Sequence, residues 1–256
     1  MTLSDSASPN DAAARTLCVD IGGSHVKAAV VGLGGRMLGD EVRIDTPTGK
    51  GPAAMVAAIA DLVAPLPMAA RVSIGFPGAV RNGMVLTAPN IGGEEWHRVP
   101  LADMLAERLG RPVRLANDAT VQGLGAISGV GLECAITLGT GMGFAVFDDG
   151  HPGVHLELSQ QLAHKGKTYD EYVGDAALEK LGPKHWNRRV GRAIRQLRAL
   201  VNFDLLYIGG GNAKCISFGL PPDVHIVSNA TGIVGGVRLW HGLERPGGND
   251  DDRPSV

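Results

Sequence analysis

Residues 16–27 read Thr16-Leu17-Cys18-Val19-Asp20-Ile21-Gly22-Gly23-Ser24-His25-Val26-Lys27, and the fold is decided on that stretch. Leu17 to Ile21 is a short apolar run that meets two glycines, the pattern of a buried strand entering a tight turn. Apolar residues resume at Val26–Val31, and Met37–Ile44 reads as a third strand, with Gly32-Leu33-Gly34-Gly35 turning the chain between them. The same order returns later in the chain. Cys134–Leu138 runs into Gly139-Thr140-Gly141-Met142-Gly143, followed by Phe144–Phe147, an Asp148-Asp149-Gly150 turn and another extended segment. Over residues 52–64, Met55, Val56, Ile59, Leu62 and Val63 share one helical face, and Leu101, Met104, Leu105 and Leu109 mark a second helix. Strands are expected at Arg71–Ile74 and Val113–Leu115. Two strand-rich halves with crossover helices predict a duplicated α/β architecture with a cleft between lobes at residues 16–118 and 119–242. Chance recurrence of glycine turns is the competing explanation.

Composition narrows the function. With 256 residues, 44% of them hydrophobic, a sizeable core can form and wholesale disorder is excluded. Lys and Arg number 24 against 26 Asp and Glu, so no global charge draws the chain to nucleic acid or to an anionic membrane. Any anion site must be local. Cys18, Cys134 and Cys215 are odd in number and far apart, which fits no disulfide framework and no structural zinc cluster. The first fifteen residues lack an apolar signal core, and the longest apolar stretch, Met55–Val72, is broken by Asp61, Pro65 and Pro67. A soluble, cytoplasmic protein with no membrane or nucleic-acid partner is expected. Residues 1–15 and the charged, Pro- and Gly-rich tail 243–256 are expected to be disordered.

Four segments carry candidate chemistry. Asp20-Ile21-Gly22-Gly23-Ser24 through Lys27 sets an acid at a strand end beside glycines, a hydroxyl and an ammonium. Glycines let backbone N–H groups approach an anion closely. Gly139-Thr140-Gly141-Met142-Gly143 follows the same logic, and Leu206–Ile208 ends in Gly209-Gly210-Gly211. None has the spacing of a P-loop or of a dinucleotide fingerprint. A plain tight turn explains any one of them, but three together favour a phosphate cleft. Asn117-Asp118 follows the strand at Val113–Leu115 directly. A carboxylate there can take a proton from an attacking hydroxyl, or it can cap the helix expected over 119–126.

Taken in order, DIGGSHVK at 20–27, GFPGAV at 75–80, NIGGEEW at 90–96, NDA at 117–119, LGTGMG at 138–143, GGGNAK at 209–214 and NATGIVGG at 229–236 resemble the ROK sugar kinases. Within that family the chain looks most like the polyphosphate-dependent glucokinases. The resemblance runs from about Leu17 to Leu239 and implies the two-lobe actin/hexokinase-like (ribonuclease H-like) fold. It implies phosphorylation of glucose at the 6-hydroxyl, with Asp118 as the general base. Asn90, Asn117, Asp118, Glu157 and Gln160 would bind the sugar. Asp20, Gly22, Gly23, Ser24 and Lys27 would hold the phosphoryl donor, faced by Gly139, Thr140, Gly141, Gly143, Gly210 and Gly211. The donor would be polyphosphate, ATP or both, with Mg²⁺ bridging its phosphates, and the enzyme would be a homodimer. Another hexose, such as mannose or an N-acetylated amino sugar, and a non-catalytic sugar sensor are the alternatives.

The chain departs from the family where Glu-x-Gly-His is expected, and has Glu157-Leu158-Ser159-Gln160 instead. Gln160 donates hydrogen bonds but carries no charge. His155 and His164 lie close in sequence; each could substitute or be an isolated surface histidine. The family's cysteine-rich zinc loop is absent, and no helix-turn-helix extension precedes Leu17. Over Lys184–Val201 the residues Trp186, Val190, Ile194, Leu197 and Val201 share one helical face, with Lys184, Arg188, Arg192 and Arg195 opposite. Such a row suits a long polyanion, and equally a solvated basic face.

Overall fold

The computed structural model describes residues 15–32, 35–228 and 231–240. The expected disorder at both ends therefore falls almost wholly outside the described residues, as does part of the turn at 32–35. The chain begins with β1 (Thr16–Ile21), β2 (His25–Val31) and β3 (Val42–Asp45). It continues through α1 (Gly51–Val63), β4 (Arg71–Phe76), a hairpin of β5 (Val80–Arg81) and β6 (Met84–Val85), α2 (Leu101–Leu109) and β7 (Val113–Asn117). Next come α3 (Asp118–Ala126), β8 (Leu132–Leu138), β9 (Met142–Asp148), β10 (His151–Pro152), β11 (Leu162–His164) and β12 (Lys167–Thr168). The last elements are α4 (Tyr169–Val173), α5 (Asp175–Val201), β13 (Leu205–Gly209), β14 (Val224–Ile226) and α6 (Thr231–Arg238).

The duplication is plain in the sheets, whose orders are β3-β2-β1-β4-β7 and β10-β9-β8-β13-β14. In each, the first three strands in sequence pair antiparallel and the last two join parallel beside the first. This is the two-lobe α/β fold the sequence leads one to expect. One strand differs. Met37 only bridges to Val31, and a ladder forms again at Val42–Asp45, because Gly39 at φ 107° turns the chain out of extended geometry. Two others run further than expected: β4 reaches Phe76 and β7 reaches Asn117, which carries both to the cleft.

Alternation along β1 sorts its side chains. Leu17, Val19 and Ile21 enter the first core with Met55, Ile59, Leu101 and Leu105, while Cys18 packs on the other face with Val31 and Val237. The second core joins Ile136 and Leu138 to Trp186, Val190, Ile194 and Leu197, the apolar face read from the sequence of α5. That helix bends at Gly182 (φ 70°, ψ 163°), one residue before Pro183. Between the sheets, α6 lies against both α3 and the back of the first sheet. A Cβ on Gly235 would strike the Val121 carbonyl, and one on Gly236 would strike Cys18 and Ser73. The Ser73 hydroxyl donates to the Gly236 carbonyl. Among the described residues no helix is long and apolar enough to cross a membrane.

Candidate active site

A cleft of about 250 Å³ opens between the sheets. Its floor is built where β1, β4 and β7 end. Asn117 is the N-cap of α3: its Oδ1 accepts from the Ala119 (3.0 Å) and Thr120 (3.3 Å) N–H groups, and its Nδ2 donates to the Gly78 carbonyl at 3.1 Å. The capping role thus falls to Asn117, whose side chain is held by backbone groups while the residue lines the cleft. Asp118, the first residue of the helix, has its Oδ1 held by the Ala119 N–H at 2.8 Å and faces the cleft.

Burial pushes the Asp118 carboxyl up to about 7, the negative charge of Asp20 adds to the push, and the Ala119 N–H opposes it. Asp20 is accessible at the cleft, yet the surrounding walls strip enough hydration to raise its own pKa, against the pull of Lys27. Gly75 separates the two acids: a Cβ there would lie 3.4 Å from Asp20 Oδ1 and 3.5 Å from Asp118 Cα. Glu157 behaves in the opposite way. A hydrogen bond from His155 Nε2 (3.3 Å) holds its carboxyl below the usual range despite partial burial, and Ser159 Oγ donates to its other oxygen. The cleft therefore holds one acid poised near neutrality and another kept ionised.

The opposite wall is the turn between β8 and β9. Asp170, half-buried on α4, accepts from the Met142 N–H at 2.7 Å, and a Cβ on Gly141 would overlap its carboxylate. Gly143 donates its N–H to Thr137 Oγ1 at 3.1 Å, and Gly139 accepts from the Asp175 N–H at 2.8 Å. Gly210 closes the wall at φ 88°, where a Cβ would run into the Leu138 backbone. A glycine-walled slot beside carboxylates can take an anionic group and a hydroxylated one side by side.

Of the residues singled out in the sequence, Asp20, Gly22, Gly23, Asn90, Asn117, Asp118, Gly139, Thr140, Gly141, Gly143, Glu157 and Gly210 line this cleft. Ser24, Lys27, Gly211 and Gln160 do not. Lys27 is the strand partner of Asp20, acts on it through charge, and lies 4.0 Å from Glu41. Gln160 turns its amide to Ser159 Oγ (3.3 Å) and to Asp170 (3.1 Å). Ser24 and Gly211 are exposed on their turns. His155 supports Glu157 instead of standing alone, and His164 packs against Arg192 and Tyr172. Sequence reasoning missed Asp170, Ser159 and Gln122. Gln122 is one helical turn beyond Asp118 on α3, a spacing that could have revealed it, and its buried Oε1 has no hydrogen-bond partner among the described residues. Among the described residues, no cluster of three His, Cys, Asp or Glu side chains could hold a metal ion.

Comparison with known proteins agrees with this geometry. Residues 16–156 match the model of the ROK family. The polyphosphate glucokinase of Mycobacterium tuberculosis (strain CDC 1551 / Oshkosh) is 29% identical over 227 residues, covering 84% of this chain and 83% of the relative. The inorganic polyphosphate/ATP-glucomannokinase of Arthrobacter sp. strain KM superposes with a TM-score of 0.79 at 30% identity, over 89% of this chain and 99% of that structure. The fold is shared as well by a ROK family glucokinase from Streptomyces griseus, at a TM-score of 0.67 and 23% identity, over 88% and 98% of the two chains. Matched by the family over more than half of its length and bearing such a cleft, the chain belongs to the ROK family and is a sugar kinase, a phosphotransferase with an alcohol acceptor.

Proposed function

We propose that this kinase transfers the terminal phosphoryl group of inorganic polyphosphate or ATP to the 6-hydroxyl of glucose, with Asp118 as general base. The observation that carries the reading is a carboxyl with a pKa of about 7 on the floor of a cleft whose far wall is glycine backbone. A base of that pKa is substantially ionised at neutral pH and still accepts a proton readily. In the step, the sugar oxygen attacks the terminal phosphorus and its proton passes to Asp118. The new O–P bond forms as the bond to the remaining donor breaks, and the leaving phosphate keeps that electron pair. Positioning and charge stabilisation supply most of the rate in such a transfer. Glu157, kept ionised by His155, and Asn90 would hold the sugar hydroxyls. The N–H groups around Gly22–Gly23 and Gly139–Gly143 would receive the donor phosphates.

Mg²⁺ fits the donor set. No all-protein cage is present among the described residues, and Mg²⁺ characteristically takes one or two carboxylates together with substrate phosphates. Asp20, open to the cleft and next to the proposed phosphate slot, is the carboxylate that would share it. When bound, the ion would neutralise charge on the donor oxygens.

Mannose is the second acceptor proposed. Gln160 faces Asp170 and not the cleft, which leaves fewer fixed donors to read the sugar, and the Arthrobacter relative is named for both sugars. The test is a direct mass measurement of sugar phosphate, with Mg²⁺, using polyphosphate or ATP against glucose, mannose and N-acetylglucosamine. Product from glucose supports the reading, and the donor that yields it assigns the donor. Sugar binding without transfer under every pairing would replace it with a sensor.

A further inference from the structure

A second cavity, a groove of about 640 Å³, lies outside the cleft, along the C-terminal part of α5. Lys184, Arg188, Gly191 and Arg195 form one wall, at spacings of four, three and four residues that keep them on a single helical face. Ser217 and Phe218 form the other. At 1.5 Å per residue the cations span about 16 Å.

The Lys and Arg residues of α5 beyond the bend at Gly182 divide into two sets. Arg189 donates to the Tyr172 carbonyl and lies over its ring, Arg192 bonds His164, and Arg198 pairs with Asp223. Lys184, Arg188 and Arg195 are exposed, and none makes an ion pair or hydrogen bond with any described residue. Of the α5 cations without a partner among the described residues, Lys184, Arg188 and Arg195 face the groove, and Lys180, before the bend at Gly182, does not.

Gly191 sits at its centre. Glycine in a helix interior is unfavourable relative to alanine. Here a Cβ would meet Arg195 Nη1 and the Phe218 ring at 3.7 Å, ordinary contact, so close packing does not demand the glycine. Its lack of a side chain leaves the floor of the groove open.

The groove is tied at both ends to the donor side of the cleft. The Asp175 N–H, at the start of α5, donates to Gly139, and Lys184 follows nine residues later. From Gly210 in the cleft wall the chain reaches Ser217 in seven residues, held by Asn187, which donates to the Cys215 carbonyl and accepts from the Ser217 N–H.

We propose that this groove is a second phosphate subsite, one that binds the distal part of an inorganic polyphosphate chain whose reactive end lies in the cleft. The inference rests on the donor reading given above. A row of cations about 16 Å long rewards a donor with many phosphates and gives little to a nucleotide whose triphosphate lies in the cleft.

The test uses K184A/R188A/R195A, which removes the charge, and G191L, which fills the groove while keeping it. KM is measured for long-chain polyphosphate, tripolyphosphate and ATP, with unfolding temperature as the check on the fold. Both variants should raise KM for the long chain by about tenfold or more, the scale of three exposed charge contacts. Tripolyphosphate and ATP should stay within about twofold. The triple variant should also flatten the dependence of log affinity on log salt by roughly 2, the value for three contacts to a flexible polyanion. Unchanged KM for the long chain in both variants, or an equal loss with every donor, overturns the subsite. Should the wild type transfer nothing from polyphosphate, the donor reading fails, and calorimetric binding of the long chain decides the groove separately. Weaker binding by both variants supports it, and no binding by the wild type overturns it.

Discussion

Asp20 and Asp118 face one cleft from opposite sides of Gly75, whose missing side chain is the space between them. The charge of Asp20 helps to keep Asp118 near neutrality, so a donor-side residue tunes the proposed base. A Cβ at Gly75 would stand in ordinary contact with both residues and fill the space between them.

Replacing Asp118 with Asn should lower kcat by about 10²- to 10⁴-fold, the usual worth of a positioned base, with glucose still bound. Paired kinetics and sugar calorimetry would check this. Turnover close to the wild type would remove Asp118 from the mechanism.

The pH profile follows from the same carboxyl. Its pKa is raised to about 7, so the base is lost as pH falls through that value, and kcat/KM should decline on the acid side of about pH 7. In Asp20→Asn the like charge is gone, and the acid limb should move to lower pH. A limb that stays in place, in whatever activity the variant retains, would show that Asp20 does not act on it.

Stability should move against activity. A carboxyl with a folded pKa of about 7 and an unfolded value near 3.8 binds more protons when folded, so its contribution falls as pH rises between them. Asp118→Asn should therefore melt higher than the wild type at pH 8, with the gain shrinking toward pH 4. Thermal melts across that range give the answer, and a gain independent of pH would contradict it.

Gln160 links the two walls, through Ser159 to Glu157 and through Asp170 to the Met142 N–H. Gln160→Ala should cost no more than about tenfold, as expected for exposed hydrogen bonds, and should affect donor KM along with sugar KM. A change confined to sugar KM would place Gln160 in the sugar pocket after all. Gly141→Ala should be worse, because its Cβ would occupy the position of the Asp170 carboxylate.

Much of this was legible in the sequence because glycine and strand ends are local signals. The turns after Ile21, Leu138 and Ile208 each come directly after an apolar run, and Asp118 comes directly after the strand that ends at Asn117. What escaped depends on side-chain direction. Asp170 lies inside the capping box of Thr168 and Glu171, where an acid looks like ordinary first-turn chemistry. The short 3₁₀ turn Leu158–Gln160 aims Gln160 at Asp170, and local sequence does not encode that aim. On α5, Arg192 lies about 80° around the helix from Lys184, at the edge of the basic row, and there it meets His164. The break in the strand expected over 37–44 falls at Gly39-Asp40-Glu41, three poor strand formers between the apolar Met37-Leu38 and Val42–Ile44.

The contact between Ser73 and Gly236 joins residues 163 positions apart. The N-terminal sheet thus receives part of its outer cover from a helix synthesised long after it. On the ribosome, the N-terminal half must wait for the clasp that α6 provides, with Cys18 and its neighbours open to solvent until then. Such long-range closure slows folding by its loop entropy and makes α6 a condition for a finished first lobe.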